Sequence, residues 1–239
     1  SGLYGNGRML EPNQIISFLI NHYKSNLPLT GKNVLITSGP TYEQIDPVRF
    51  IGNNSSGKMG FALAEVAASQ GAKVILITGP TSEKINNSLI EVHPVVSADN
   101  MYEVVKKHYA YCDIAIASAA VSDFRVKSLT KKKIKKFQGK RSLEIVPTKD
   151  VLAYMGRNKK NQFLVGFALE TDNELENAKI KLREKNLNAI VLNSLNDKGA
   201  GFSTNTNKIS YINTNHSVKK YPLQSKLECA KSIFEQILS

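Results

Sequence analysis

Short apolar runs alternate with helical-period segments along most of this chain. Val34-Leu35-Ile36-Thr37 has the length and make-up of a buried strand. A long polar loop follows and ends in Asn53-Asn54-Ser55-Ser56-Gly57-Lys58-Met59-Gly60. Phe61 to Gln70 then carries a helical period, Gly71 stops it, and Lys73 to Thr78 reads as a second strand. Further strands or extended pieces are predicted at 89–92, 113–118, 143–146, 163–168 and 189–192, with helices at 100–109, 150–157 and 171–185. Thr171 and Glu174 have the spacing of a capping box at the start of that last helix. Residues 209–213 and 218–223 suggest an antiparallel pair at a sheet edge, and 225–238 a closing helix.

Strand and helix alternate, which predicts an α/β, Rossmann-like fold: a doubly wound, mostly parallel sheet with an antiparallel edge extension. Residues 1–30, with a helix expected at Gln14 to His22, form an N-terminal arm, and residues 31–239 form the domain.

Chemistry enters where the polar loop meets the helix beginning near Phe61. Free N–H groups and the positive end of the helix dipole favour a phosphate there. The loop departs from a P-loop, because Gly52-x-x-x-x-Gly57-Lys58 is followed by Met59 where a Ser or Thr would hold magnesium. No G-x-G-x-x-G follows the first strand, and the second strand ends Thr78-Gly79-Pro80 without an acidic ribose ligand, against a nicotinamide-dependent reductase. Ala119-Ala120-Val121-Ser122-Asp123-Phe124 stands at the carboxyl end of a strand, the edge where ligands sit in open α/β sheets.

Composition narrows the picture. At 239 residues and 41% hydrophobic the chain can bury a full core. Cys112 and Cys229 lie far apart and suit a reducing, cytoplasmic setting. No apolar run approaches the ~20 residues of a membrane span, so no membrane partner is expected. The net charge of +12 suits anionic partners. Lys127, Lys131, Lys132, Lys133, Lys135, Lys136, Lys140 and Arg141 make an acid-free run, either a solvated loop or a lid over a polyphosphate. Neither an RNA-binding aromatic motif nor a helix-turn-helix is visible, so nucleic acid is not an expected partner.

Several ordered motifs carry a family resemblance. They are Ile36-Thr37-Ser38-Gly39-Pro40-Thr41-Tyr42-Glu43, Asp46-Pro47-Val48-Arg49-Phe50-Ile51, the 53–60 loop, Ala119 to Phe124, Lys133-Ile134-Lys135-Lys136 and Val165 to Thr171, with Lys181 and Lys185. Over residues 31–239 the chain resembles phosphopantothenoylcysteine synthetases, the ligases of coenzyme A biosynthesis. Gly5-Asn6-Gly7-Arg8-Met9-Leu10-Glu11-Pro12 resembles the junction that follows a flavin-dependent decarboxylase domain in bifunctional bacterial members. A covalent link to such a domain is therefore expected, with FMN belonging to that domain alone.

The resemblance implies a ligase that condenses 4'-phosphopantothenate with L-cysteine. CTP is the co-substrate, Mg2+ assists, an acyl-cytidylate forms, and CMP and pyrophosphate leave. It implies a homodimer. Asn53 would contact the acyl-nucleotide, or merely cap a helix. Arg49 would clamp phosphate or support the loop, and Ser55, Ser56, Gly57 and Lys58 would form the substrate's phosphate loop. Ala117, Ser118, Ala119 and Asp123 match the CTP pocket, as does Phe167, for which core packing is an equal account. Lys133, ten residues after Asp123, takes the place of the lid lysine that acts when the intermediate is consumed. Lys181 and Lys185, four apart on one helix, would grip the triphosphate as an otherwise unpaired, exposed and mutually repelling pair. Many bacterial members have Asn-Pro-Asp where this chain has Thr148-Lys149-Asp150, which puts Lys149 and Asp150 beside the nucleotide. They also have Asn-Asp where it has Asn193-Ser194. No residue fixes cytosine over adenine.

Overall fold

The computed structural model describes residues 9–136, 142–194 and 204–239. Residues 5–8 of the junction, and Lys140 and Arg141 of the basic run, lie outside the described residues.

The element order is α1 (Pro12–Ser25), β1 (Asn33–Ser38), β2 (Tyr42–Gln44), β3 (Phe50–Gly52), α2 (Lys58–Ser69), β4 (Lys73–Thr78), β5 (Ile90–Pro94) and α3 (Ala98–His108). It continues with β6 (Ile114–Ala117), β7 (Phe124–Val126), β8 (Ile145–Pro147), α4 (Val151–Arg157), β9 (Phe163–Glu170), α5 (Glu174–Glu184) and β10 (Ala189–Ser194). The chain closes with β11 (Thr206–Asn207), β12 (Ile209–Asn213), β13 (Val218–Lys220), β14 (Gln224–Ser225) and α6 (Lys226–Leu238).

Among the described residues the main sheet has eight strands in the order β13-β12-β10-β9-β6-β1-β4-β5. The six from β10 to β5 run parallel, and β12 and β13 extend one edge antiparallel. Helices cover both faces, which is why the inner strands are apolar throughout rather than alternating. Val34 and Ile36 of β1 point to one face, into a core with α2 and α6. Leu35 between them points to the other, into a core with α3, α4 and α5. This is the doubly wound sheet with an antiparallel edge that the chain predicts.

Starting from β1, the chain adds β4 and β5 on one side and then β6, β9 and β10 on the other. The crevice between the carboxyl ends of β1 and β6 is therefore the topological switch point, where ligands bind in such sheets. The polar loop after β1 is partly ordered by the β2–β3 hairpin, in which the Tyr42 and Phe50 rings stack with centroids 3.9 Å apart. Short separated strands of this kind carry too little periodicity to read from sequence. The strand expected at 143–146 is β8, and it pairs with β7 in a ribbon outside the main sheet.

One expectation about a helix start is overturned. The helix expected from Thr171 begins at Glu174, with Asn173 in its N-cap position at φ 42° and no side-chain cap bond. Thr171 Oγ1 donates instead to Asp172 Oδ1 at 3.0 Å. The cause is β9, which runs on to pair Leu169 and Glu170 with Asn193 and Ser194 of β10.

Candidate active site

A cavity of about 580 Å³ opens at the switch point. Its floor is the loop from Gly52 to Gly57 and the first turn of α2. Gly57, the N-cap of α2, has φ +79°, a left-handed conformation that favours glycine. Gly60 lets α2 approach β1: a Cβ there would stand 2.3 Å from Ser38 Oγ and 2.4 Å from Ser38 Cβ. These two glycines bring the α2 N-terminus, with its unsatisfied N–H groups, into the crevice. Asn53 is not the cap of α2. Its Nδ2 donates to the Val121 carbonyl at 2.8 Å, tying the loop to the segment after β6. Thr81 Oγ1 holds the loop from the other side by donating to the Ser56 carbonyl at 2.7 Å.

The opposite wall comes from the carboxyl ends of β6 and β9. Ser118 Oγ donates to the Thr37 carbonyl at 2.7 Å, fixing Ser118 and Ala119 against β1. Ala119, Asp123, Phe167 and Lys181 all face the cavity. Lys181 Nζ donates to the Phe167 carbonyl at 2.9 Å. Burial pushes the Lys181 ammonium below the usual lysine value, against the pull of Glu170, Asp150 and Asp123. An anion arriving beside this lysine would relieve that penalty.

Other residues expected at the site lie outside the cavity lining. Ala117, the last residue of β6, packs partly buried under it. Lys185 is half-buried and paired, its Nζ 2.7 Å from Asp150 Oδ2, which corrects the unpaired, exposed lysine pair expected from sequence. Asp150 also caps α4 by accepting from Ala153 N–H at 2.7 Å. Burial raises the Asp150 pKa, but the Lys185 bond and the cap outweigh it and hold the carboxyl below its usual value. Lys149 turns to α3, donating to Glu103 at 3.0 Å over the Tyr102 ring.

Arg49 sits on the β2–β3 hairpin and supports a loop. Its Nη1 lies 2.5 Å from Asp46 Oδ2 and 3.1 Å from the Ile134 carbonyl. Asp46 is buried and also accepts from the N–H groups of Val48, Arg49 and Ile134. Burial raises its pKa, yet these donors and the Arg49 charge prevail and keep it below the usual carboxylate value. The lysine run is thus pinned at Ile134, next to the exposed Lys133. Thr130 N–H adds a bond to the Ile45 carbonyl at 3.2 Å.

Three cavity residues escaped the sequence assignment. Lys226 begins α6, Asn207 ends β11, and Asn193 stands on β10 with its Oδ1 buried and, among the described residues, without a hydrogen-bond partner. Asn193 was noticed only as a departure from the bacterial pattern. A Ser-Lys pair at a helix start, as at Ser225 and Lys226, is too common to single out. The lining therefore carries the ammoniums of Lys58, Lys181 and Lys226 with the carboxylate of Asp123, a balance that favours a polyanion.

The family profile described as DNA/pantothenate metabolism flavoprotein C-terminal domain matches residues 29–239. A relative named cysteine/cysteine sulfinic acid decarboxylase, from an unknown prokaryotic organism, is 47% identical over 100% of this chain and 68% of its own. The coenzyme A biosynthesis bifunctional protein CoaBC of Bacillus subtilis (strain 168) is 44% identical over 99% of this chain. The chain spans only 59% of that relative's length. The crystal structure of the C-terminal domain of a CoaBC protein is 42% identical, with a TM-score of 0.75, covering 89% of this chain and 97% of that one.

Proposed function

This chain belongs to the DNA/pantothenate metabolism flavoprotein C-terminal domain family, and from that premise we propose that it is a phosphopantothenate–cysteine ligase of coenzyme A biosynthesis. It joins 4'-phosphopantothenate to L-cysteine at the expense of CTP. One observation carries the reading: a single switch-point cavity gathers Lys58, Lys181 and Lys226 around Asp123 and the α2 N-terminus. Such a site suits two anionic substrates that must be brought together against their mutual repulsion.

The carboxylate of phosphopantothenate attacks the α-phosphate of CTP, pyrophosphate leaves, and an acyl-cytidylate remains. The amine of cysteine then attacks the acyl carbon, the amide forms and CMP departs. Asn53 spends one amide N–H on Val121 and keeps the other for an oxygen of the intermediate. Lys181, weakly solvated beside Asp123, meets the triphosphate from the α5 side. Lys133 closes over the anhydride and keeps water from it.

Magnesium fits this chain as a nucleotide-borne ion. Among the described residues no group of three or more His, Cys, Asp and Glu could hold a metal, whereas Asp123 can supply one carboxylate beside phosphate oxygens. When bound, the ion neutralises developing charge on the phosphates.

We extend the proposal to the setting. The protein acts in the cytoplasm as a homodimer, linked to a decarboxylase domain that holds the FMN. Among the described residues no helix is long and apolar enough to cross a membrane. Pyrophosphate release with phosphopantothenate and magnesium, comparing CTP with ATP and with or without cysteine, tests the reading. Turnover with CTP that requires phosphopantothenate supports it. Turnover with ATP alone would overturn the nucleotide, and silence with both would overturn the ligase.

A further inference from the structure

Glu43 closes the 36–43 motif and lies outside the cavity lining. It is only 5% exposed, and its Oε1 accepts from the Ala98 N–H at 2.7 Å. Ala98 opens α3, which already carries a capping box: Ser97 Oγ accepts from Asn100 N–H, and Asn100 Oδ1 accepts from Ser97 N–H. Glu43 therefore takes a helix N–H that the box leaves over. An apolar side chain would fill the same space without burying a polar group. What the acid adds is a fixed distance between β2 and α3. Tyr42 N–H makes a second tie, donating to the Val96 carbonyl at 2.7 Å. Met101 and Val105 hold α3 in the core of its own face of the sheet, so β2 hangs from a rigid element.

Both working ends of the β2–β3 hairpin are set from this anchor. Across the hairpin Glu43 pairs with Ile51, two residues before Asn53. Gly52 stands between them, pressed against β2: a Cβ there would lie 2.8 Å from the Thr41 carbonyl oxygen and from Tyr42 Cδ1. β3 thus leaves the hairpin tightly held and delivers Asn53 to the Val121 carbonyl at 2.8 Å. On the other side of Glu43, three residues on, buried Asp46 accepts the Ile134 N–H at 3.1 Å, beside Lys133.

We infer that Glu43 is a positioning residue for consumption of the acyl-cytidylate, fixing from α3 the hairpin that holds Asn53 at one end and the lysine run at Ile134 at the other. The inference rests on the ligase reading. The nucleotide wall is hung differently, since Ser118 Oγ ties it to the Thr37 carbonyl of β1. Pyrophosphate release therefore does not depend on Glu43, whereas attack by cysteine on the anhydride does.

Rapid-quench kinetics on the whole chain reads the two steps separately. Pyrophosphate release is followed from CTP and phosphopantothenate without cysteine, and loss of acyl-cytidylate is followed once cysteine is added. Glu43→Leu roughly keeps the volume and removes the acceptor, while Glu43→Gln restores an acceptor oxygen. Misplaced reacting groups should slow the cysteine step about 10- to 100-fold in Glu43→Leu, with pyrophosphate release near wild type. Glu43→Gln should recover most of the loss. Equal slowing of both steps, slowing of pyrophosphate release alone, or a Glu43→Gln variant as slow as Glu43→Leu would each overturn the assignment. A lowered thermal midpoint with both rates unchanged would reduce Glu43 to a structural part and overturn it too. If Glu43→Leu does not fold, Ala98→Pro removes the donor instead and is read by the same outcomes. Proline suits a first helical position after an extended residue, and Ser97 is extended at φ −104° and ψ 166°. A wild type that releases no pyrophosphate would sink the ligase reading itself. A wild type that turns over, with Glu43→Leu matching it in both steps, would sink only the role of Glu43.

Discussion

Asp150 holds Lys185 with one carboxylate oxygen, at 2.7 Å, and caps α4 with the other. The ammonium expected to grip a triphosphate is therefore already partnered. Asn at 150 would still cap the helix but would no longer neutralise the lysine. Asp150→Asn should lower the apparent constant for CTP, whereas Lys185→Ala should raise it and Lys181→Ala/Lys185→Ala should raise it far more than that for cysteine. Steady-state kinetics in each substrate reads this out. A rise in Asp150→Asn as large as that in Lys185→Ala would mean that the carboxylate itself touches the nucleotide.

Lys133 stands exposed beside Ile134, outside the cavity lining. If it closes only on the formed anhydride, Lys133→Gln should still release pyrophosphate, and acyl-cytidylate should accumulate in a quenched reaction. Loss of pyrophosphate release would move Lys133 to the first step. Substitution of Lys131 or Lys132 should matter much less.

Asp46 reaches the same lysine indirectly, accepting Ile134 N–H at 3.1 Å while Arg49 donates to the Ile134 carbonyl. Asp46→Asn should reproduce the accumulation of acyl-cytidylate in weaker form and leave pyrophosphate release intact. Its pKa is lowered in the fold, so its stabilisation is complete above the ordinary carboxylate range and is lost as pH falls through the lowered value. The gap in thermal midpoint between wild type and Asp46→Asn should therefore be widest near neutrality and close in acid. A gap independent of pH would show that the charge is not what holds the loop.

Gly60→Ala should destabilise by roughly 1–3 kcal/mol, the usual cost of an overpacked contact. Its Cβ would meet both Oγ and Cβ of Ser38. Ser38→Ala should therefore rescue little and Ser38→Gly more, which denaturant melts of the double variants can rank. Equal rescue by both would place the clash at the hydroxyl alone.

Much of this architecture was legible in the chain because it is written locally. Apolar runs at β1, β4, β6, β9 and β10 mark strands buried on both faces, and the helical period after Gly57 with the stop at Gly71 marks α2. The hairpin β2–β3, the strand β7 and its pairing with β8 were not legible, since three-residue strands show little period and no local signal names their partner. The misplaced start of α5 has a tertiary cause: pairing of β9 with β10 through Glu170 keeps Thr171 out of the helix.

The sequence by itself determined the α/β class, the polar loop at 53–58 leading into a helix, and the position of Asp123 beyond the end of a strand, because strand period and helix-start signals depend only on near neighbours. Only the tertiary structure decided which charges are free and which are spent. It gave Lys185 to Asp150, Arg49 to Asp46 and Ile134, and turned Lys149 toward Glu103. It also brought Lys226 into a cavity with Lys58, far away in sequence. A sheet that reverses its strand order at β1 folds distant segments onto one crevice, and a side chain's partner there is set by that juxtaposition rather than by its neighbours in the chain.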